Sequence, residues 1–172
     1  MNKEQIQIYT DGSCRGNGKE SNFGGYGVVV VKDNNILSLY QEKSNDTTNN
    51  REELKAIIYA LELARKEYSN FECEIYSDSA YCVNICNDWI WSWFHNGWVR
   101  YGNKPIENLD LVKELFKYIN IDFNNFIIKK VKGHNGDQWN ELADAIATGK
   151  SLEEIKKEYP HLLDSNILFI SN

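Results

Sequence analysis

IQIYTDGSC, residues 6–14, alternates apolar and polar positions up to Tyr9 and then places an acid and a glycine side by side. The alternation predicts a β-strand over 3–10. Asp11 then stands where that strand runs out. An Asp-Gly pair is a common turn signal and read alone suggests only a turn. Whether Asp11 is instead a carboxylate aimed at a site depends on where the other acids of the chain fall.

Working outward, GGYGVVVVKDN (24–34) and ILSLYQEK (36–43) read as two further strands, and DNN (33–35) between them as a hairpin turn. The period then changes. TTNNREELKAIIYALELARKEY (47–68) carries Leu54, Ile57, Ile58, Leu61 and Ala64 on one helical stripe, with a Thr or Asn before it as cap. FECEIYSDS (71–79) alternates again and, like the first strand, ends in an acid, Asp78. A helix follows from about Ser79. Further on come a helix at 108–119, a strand at 125–133, a helix at 138–150, capping-box spacing at SLEE (151–154), and a short apolar tail, NILFI (166–170). Three strands, a helix, a strand, helices, a strand and a helix define an α/β chain. The expected sheet is mixed and five-stranded: three antiparallel strands, then two parallel ones reached through helices, with helices flanking it.

Length and composition set outer limits. The 172 residues suit one domain with a real core. No apolar run approaches the ~20 residues of a membrane helix, and the first ten residues hold no apolar signal segment, so a cytoplasmic location is expected. Cys14, Cys73, Cys82 and Cys86 form no CxxC pair and read as reduced thiols. The net charge of −6 weighs against a nucleic-acid partner unless a local basic patch or bound cations offset it.

The acids give a sharper reading. If the strands ending at Asp11 and Asp78 are parallel neighbours, both carboxylates leave the sheet at its carboxyl edge, where ligand sites of α/β sheets gather. At ~100° per residue, Glu53 lies roughly 75° from the centre of the apolar stripe, at the edge of the buried face, and Glu52 lies about opposite, in solvent. Asp144 falls outside the stripe of Trp139, Leu142, Ala143 and Ile146, and periodicity leaves its direction open. Clustered carboxylates repel and raise each other's pKa unless cations sit among them. Oxygen donors suit Mg²⁺ or Mn²⁺, and two such ions ~4 Å apart form a clamp for phosphodiester cleavage. A P-loop fails on spacing, because Ser13 stands where its first glycine belongs; an aspartyl-nucleophile D-x-D motif fails because position 9 is Tyr9.

YTDGSCRGNG, GGYG, TTNNREEL, YSDS, GNKPIENLDL and VKGHNG…NELAD occur here in one order. Over about residues 5–148 the chain thereby resembles type 1 ribonuclease H of the bacterial kind. The resemblance implies an RNase H-like fold and an endonuclease that cuts the RNA strand of an RNA–DNA hybrid with two Mg²⁺ ions, Mn²⁺ substituting, and leaves 5′-phosphate and 3′-hydroxyl ends. It implies that Asp11, Glu53, Asp78 and Asp144 hold the metal, and that His134, in the glycine-flanked loop GHNGD, assists proton transfer or product release. Asn17, Asn49 and Asn50 would reach the hybrid's minor groove, Thr48 and Asn108 would hold a DNA-strand phosphate, and Cys14 would lie near the RNA backbone. The Trp-rich stretch WIWSWFHNGWVRYGNKP (89–105) matches a basic handle, with Trp89, Trp93 and Trp98 as a wall for DNA sugars. Here that handle offers only His95, Arg100 and Lys104 as cations, so a shallow salt dependence of hybrid binding is expected. KESNF (19–23) replaces a proline/glycine-rich turn, and Ala80 stands where a glutamine often follows the Asp-Ser pair. The implied organisation is a catalytic domain over 1–148, monomeric and free of membrane, followed by a helical C-terminal extension over 149–172. Two readings compete with it. One is another nuclease class on the same fold, a resolvase or transposase, which the TTNN, GNKP and KGH motifs do not fit. The other is a catalytically dead hybrid-binding module, against which the presence of all four acids argues.

Overall fold

The computed structural model describes residues 3–19, 22–122, 126–131, 137–164 and 166–172. Its strands are β1 (Gln5–Arg15), β2 (Phe23–Lys32), β3 (Asn35–Asn45), β4 (Glu72–Ser77), β5 (Phe126–Lys130) and β6 (Leu168–Ser171). Its helices are α1 (Asn49–Lys66), α2 (Ala80–Asn84), α3 (Ile90–His95), α4 (Leu109–Asp122), α5 (Gln138–Ala147) and α6 (Leu152–Glu158). They build one mixed sheet in the order β5-β4-β1-β2-β3-β6. β1, β2 and β3 pair antiparallel; β4 joins β1, and β5 joins β4, in parallel.

Strand alternation divides the core between the two faces of the sheet. Ile6, Ile8, Val28 and Val30 pack with the apolar side of α1, with Val112 and Leu115 of α4, and with Cys82 of α2. Tyr9, Val29, Val31 and Leu39 pack with Leu142, Ala143 and Ile146 of α5 and with Ile155 of α6. The expected hairpin closes through Asp33 and Asn34, both at positive φ (51° and 64°), the two-residue turn whose twist suits paired strands. α2 and α3 are joined by a π-helical turn over Ile85–Trp89, so 80–95 forms one continuous helical stretch.

Three expectations change. The sheet has six strands rather than five, because the apolar tail pairs in parallel with β3 from Ser38↔Leu168 to Gln41↔Ser171. The segment after 148 therefore holds both a helix, closed by the Ser151–Glu154 capping box, and a strand. β1 does not stop at Asp11. Its parallel pairing with β4 ends at Thr10↔Ser77, while its antiparallel pairing with β2 runs on to Arg15↔Phe23. Gly12 is therefore no turn residue but a mid-strand position, and its reason is space. A Cβ there would lie 2.2 Å from the backbone nitrogen of Glu53, so only glycine lets β1 tuck against the first turn of α1.

Candidate active site

β1 and β4 part company just after Thr10 and Ser77, and the next acid on each chain segment, Asp11 and Asp78, faces the gap. α1 delivers the third. Its N-cap is Thr48, whose hydroxyl accepts from Arg51 N, and the Gly12 contact presses the following turn onto β1. On the other face a Cβ at Gly27 would lie 2.5 Å from Ala143 O, so the bare glycine brings α5 equally close. One carboxylate oxygen from each of Asp11, Glu53 and Asp78 lies within 4.8 Å of the others. Asp11 and Glu53 are buried and Asp78 is half-buried. Asp144 is exposed on α5, outside that trio, but close enough for its carboxyl to act on Asp11 and Glu53, so the structure supplies the direction that periodicity left open.

The electrostatics follow from this packing. Burial pushes the Asp11 carboxyl far up, and the negative charge of Glu53, with Asp144 and Asp78 behind it, pushes further. Glu53 is raised to about 7, first by burial and then by Asp78 and Asp144; its hydrogen bonds with Asp11 and the Gly12 backbone pull the other way. Without counter-ions the pair keeps a proton well into the neutral range. The buried Oε2 of Glu53 has no hydrogen-bond partner. A hard divalent cation fits that donor set: it would fill the orphaned coordination and remove the repulsion that raises both groups.

The other expected residues are distributed as follows. Asn17, exposed in the turn after β1, accepts from Asn49 N through Oδ1 at 3.1 Å, which ties that turn to the start of α1. Asn49 and Asn50 are exposed at the α1 N-terminus. Asn108, at φ 58° before α4, accepts from Arg51 Nη1 at 3.4 Å, and the Arg51 guanidinium also forks onto Asp110 at 2.8 and 3.0 Å. Thr48 and Asn108 are thus linked through Arg51, the first by its backbone N–H and the second by its guanidinium. The Cys14 thiol is half-buried against Thr47 O and Asn22 Oδ1, and burial raises its pKa. Trp89 and Trp93 stand 6.0 Å apart, centroid to centroid, in a cleft of about 420 Å³ shared with Tyr81, Arg100 and Glu107. Trp98 is not part of that wall in any described ring contact; it packs on Phe94 and Phe116, with the Lys113 ammonium 5.8 Å from its ring. His134 lies outside the described residues.

Glu52 overturns its expectation. It is fully buried rather than solvated, with the Lys55 ammonium 3.2 Å away as its ion-pair partner. Helical periodicity assumes one flat neighbour. Here β1, β2 and β3 run on past the sheet's parallel half and enclose the first turn of α1. Tyr26 and Cys14 feel the charge of Glu52, and Lys55 reaches Ser44 on β3 at 3.3 Å. Arg100, expected as a cation of the handle, lines this cleft; Tyr81 is a cleft residue that no sequence signal selected, three positions after Asp78 across the start of a helix.

A mixed sheet with an acid just past the point where its parallel strands β1 and β4 stop pairing, and a third acid brought by a cross-packed helix, defines an α/β protein with a carboxylate cluster that could hold a cation at that edge. The RNase H family model matches residues 3–151, and the chain belongs to that family. A ribonuclease H of Chlorobaculum parvum is 41% identical over 149 residues, which cover 84% of this chain and 94% of that one. The crystal structure of LC9-RNase H1, a type 1 RNase H with the type 2 active-site motif, is similar with a TM-score of 0.72 at 31% identity, over 86% of this chain and 72% of that one. LC11-RNase H1 in complex with RNA/DNA hybrid is similar with a TM-score of 0.59 at 25% identity, over 89% of this chain and 98% of that one.

Proposed function

We propose that the chain hydrolyses the RNA strand of RNA–DNA hybrids at the pocket formed by Asp11, Glu53, Asp78 and Asp144. The observation that carries this reading is the convergence of Asp11, Glu53 and Asp78 to within 4.8 Å on elements that are far apart in sequence. As a ribonuclease H the chain is a phosphodiester hydrolase. Asp11 and Glu53, held rigidly by burial, form the floor of the site; Asp78 and Asp144, nearer solvent, complete it on the side where a phosphodiester would enter. The cations are Mg²⁺, with Mn²⁺ as substitute, and when bound they supply the positive charge that activates water and stabilises the leaving oxygen. Cleavage then leaves 5′-phosphate and 3′-hydroxyl ends.

The substrate reading follows the surface around the acids. Asn17, Asn49 and Asn50 present amides beside Glu53, where they can both donate to and accept from base edges and 2′-hydroxyls in a wide minor groove. The Trp89–Trp93 cleft, framed by Tyr81, receives sugars of the DNA strand, and the Thr48–Asn108 corner one of its phosphates. His134 assists proton transfer at the leaving group. The chain works as a cytoplasmic monomer, with 1–148 as its catalytic part and 149–172 as an extension that continues the sheet beside β3. The test is a hybrid labelled on each strand in turn, incubated with Mg²⁺ beside RNA–RNA and DNA–DNA duplexes. Cutting confined to the RNA strand of the hybrid supports the reading. Equal cutting of either homoduplex, or none of the hybrid, overturns it.

A further inference from the structure

On the α5 face of the sheet, residues pair across the strands in rows. Asp11 lies opposite Gly27 and Gln41, Ser13 opposite Gly25 and Lys43, and Arg15 opposite Phe23 and Asn45. α5 covers the first row, where Gly27 meets Ala143, and ends at Ala147. Its last residue, Ala147, reaches the second row only at Gly25, and the rest of the two outer rows lies open. They leave a cavity of about 310 Å³ lined by Ser13, Arg15, Phe23, Lys43, Asn45 and Thr148, among others. One wall begins two residues after Asp11 and the other, at Thr148, four residues after Asp144. The groove is thus continuous with the site, ~7 Å along the strand at Ser13 and ~13 Å at Arg15.

The groove also carries positive charge that no carboxylate among the described residues neutralises. Arg51, Lys32, Lys55, Lys66, Lys129 and Lys150 are all committed to ion pairs. Among the described residues, the side chains of Arg15 and Lys43, like those of Lys19, Lys104, Lys113, Lys117, Lys130, Lys156 and Lys157, form no ion pair, and both are exposed. Phe23 stands opposite Arg15 in the outer row, one row beyond Lys43, and is 58% exposed. Two free cations, a hydroxyl, an amide and a bare aromatic face are the groups that hold a sugar-phosphate backbone.

We propose that this groove binds the RNA strand two to four nucleotides from the cut, with Arg15 and Lys43 on its phosphates and Phe23 against a ribose or base. At ~3.4 Å of axial rise per nucleotide, ~7–13 Å corresponds to that interval. The inference rests on the hybrid-cleavage reading and deepens it. It assigns the strand because the groove continues from the acids that would face the scissile phosphate. It also supplies what the handle lacks, a local basic patch on a chain of net charge −6.

The test compares the parent with the double variant Arg15→Ala/Lys43→Ala, measuring hybrid affinity in Ca²⁺ across a salt series and cleavage in Mg²⁺. Both side chains are exposed, so thermal melting of the double variant should match that of the parent. Affinity should fall about tenfold at 0.1 M salt, and the slope of log K against log salt should become shallower by about 1–2. Arg15→Lys/Lys43→Arg should restore both. Hybrids with one neutral methylphosphonate two to four nucleotides from the cut should weaken the parent when it lies in the RNA strand and leave the double variant unaffected. Unchanged affinity and slope in the double variant, with the parent cutting normally, overturn the groove alone. Sensitivity only to methylphosphonates in the DNA strand overturns the strand assignment. A parent that does not cut the hybrid overturns the underlying reading and the groove with it.

Discussion

Replacing Asp11 with Asn should make the metal-free protein more stable while removing its activity. Asp11 is 3% exposed and Glu53 8%, and each is pushed up first by burial and then by the neighbouring carboxylates. Ionising Glu53 at about 7 instead of its ordinary 4.5 corresponds to about 3 kcal/mol, at ~1.4 kcal/mol per pH unit. Asparagine keeps the shape of a protonated Asp11 without the cost of holding a proton there at pH 8, so a gain of about 2–3 kcal/mol at that pH is expected. For a chain of 150–250 residues that is a rise of roughly 4–12 °C in melting temperature. The sign with pH follows. Folded-state values lie above unfolded ones, so the folded protein keeps protons the unfolded chain has released. The stability from these groups is complete below about pH 4 and is lost as pH rises through about 7. In EDTA the parent's melting temperature should therefore fall between pH 5 and 8, and the variant's should fall less. Mg²⁺ at pH 8 should recover the parent by mass action and affect the variant much less. Calorimetry of both proteins over that range, with and without Mg²⁺, is the assay. A variant that melts no higher than the parent at pH 8 in EDTA would refute the claim that burying and crowding these carboxylates costs the metal-free fold stability.

Gly12→Ala places a methyl 2.2 Å from the Glu53 nitrogen, so it should cost about 3 kcal/mol in denaturant unfolding and abolish cleavage by shifting α1. Lys55→Met strips the fully buried Glu52 of its partner and should cost about 3 kcal/mol, whereas Glu52→Met should be neutral or stabilising; equal losses would contradict the ion-pair account. Trp93→Ala opens the Trp89 cleft and should raise KM several-fold with a smaller change in kcat, as steady-state kinetics on a hybrid would show.

Elements whose pattern is set by local period were legible in the sequence. The stripe of α1, the Asp33–Asn34 turn and the Ser151–Glu154 box all follow from near neighbours. The clustered acids Asp11, Glu53 and Asp78 were legible because two of them lie just past an alternating stretch of strand and the third flanks an apolar stripe. What could not be read depends on contacts between distant segments. β6 is four residues long and is a strand only because β3 offers it a free edge. Gly12 has the sequence of a turn, and only the approach of α1 explains why β1 continues through it. Glu52 is buried because three strand ends wrap one helical turn, a geometry no wheel projection contains. Asp144 has a direction only once α5 is seated on Gly27. The row from Ser13 to Lys43 exists only in the register of the sheet.

The central claim is that acids from β1, α1 and the end of β4 share divalent cations. A crystal of the protein grown with Mn²⁺ tests it directly, through anomalous scattering. The account predicts at least one manganese peak about 2.1 Å from oxygens of Asp11, Glu53 and Asp78. Manganese bound elsewhere, with these three carboxylates empty in a crystal whose protein still cuts hybrid, would contradict it.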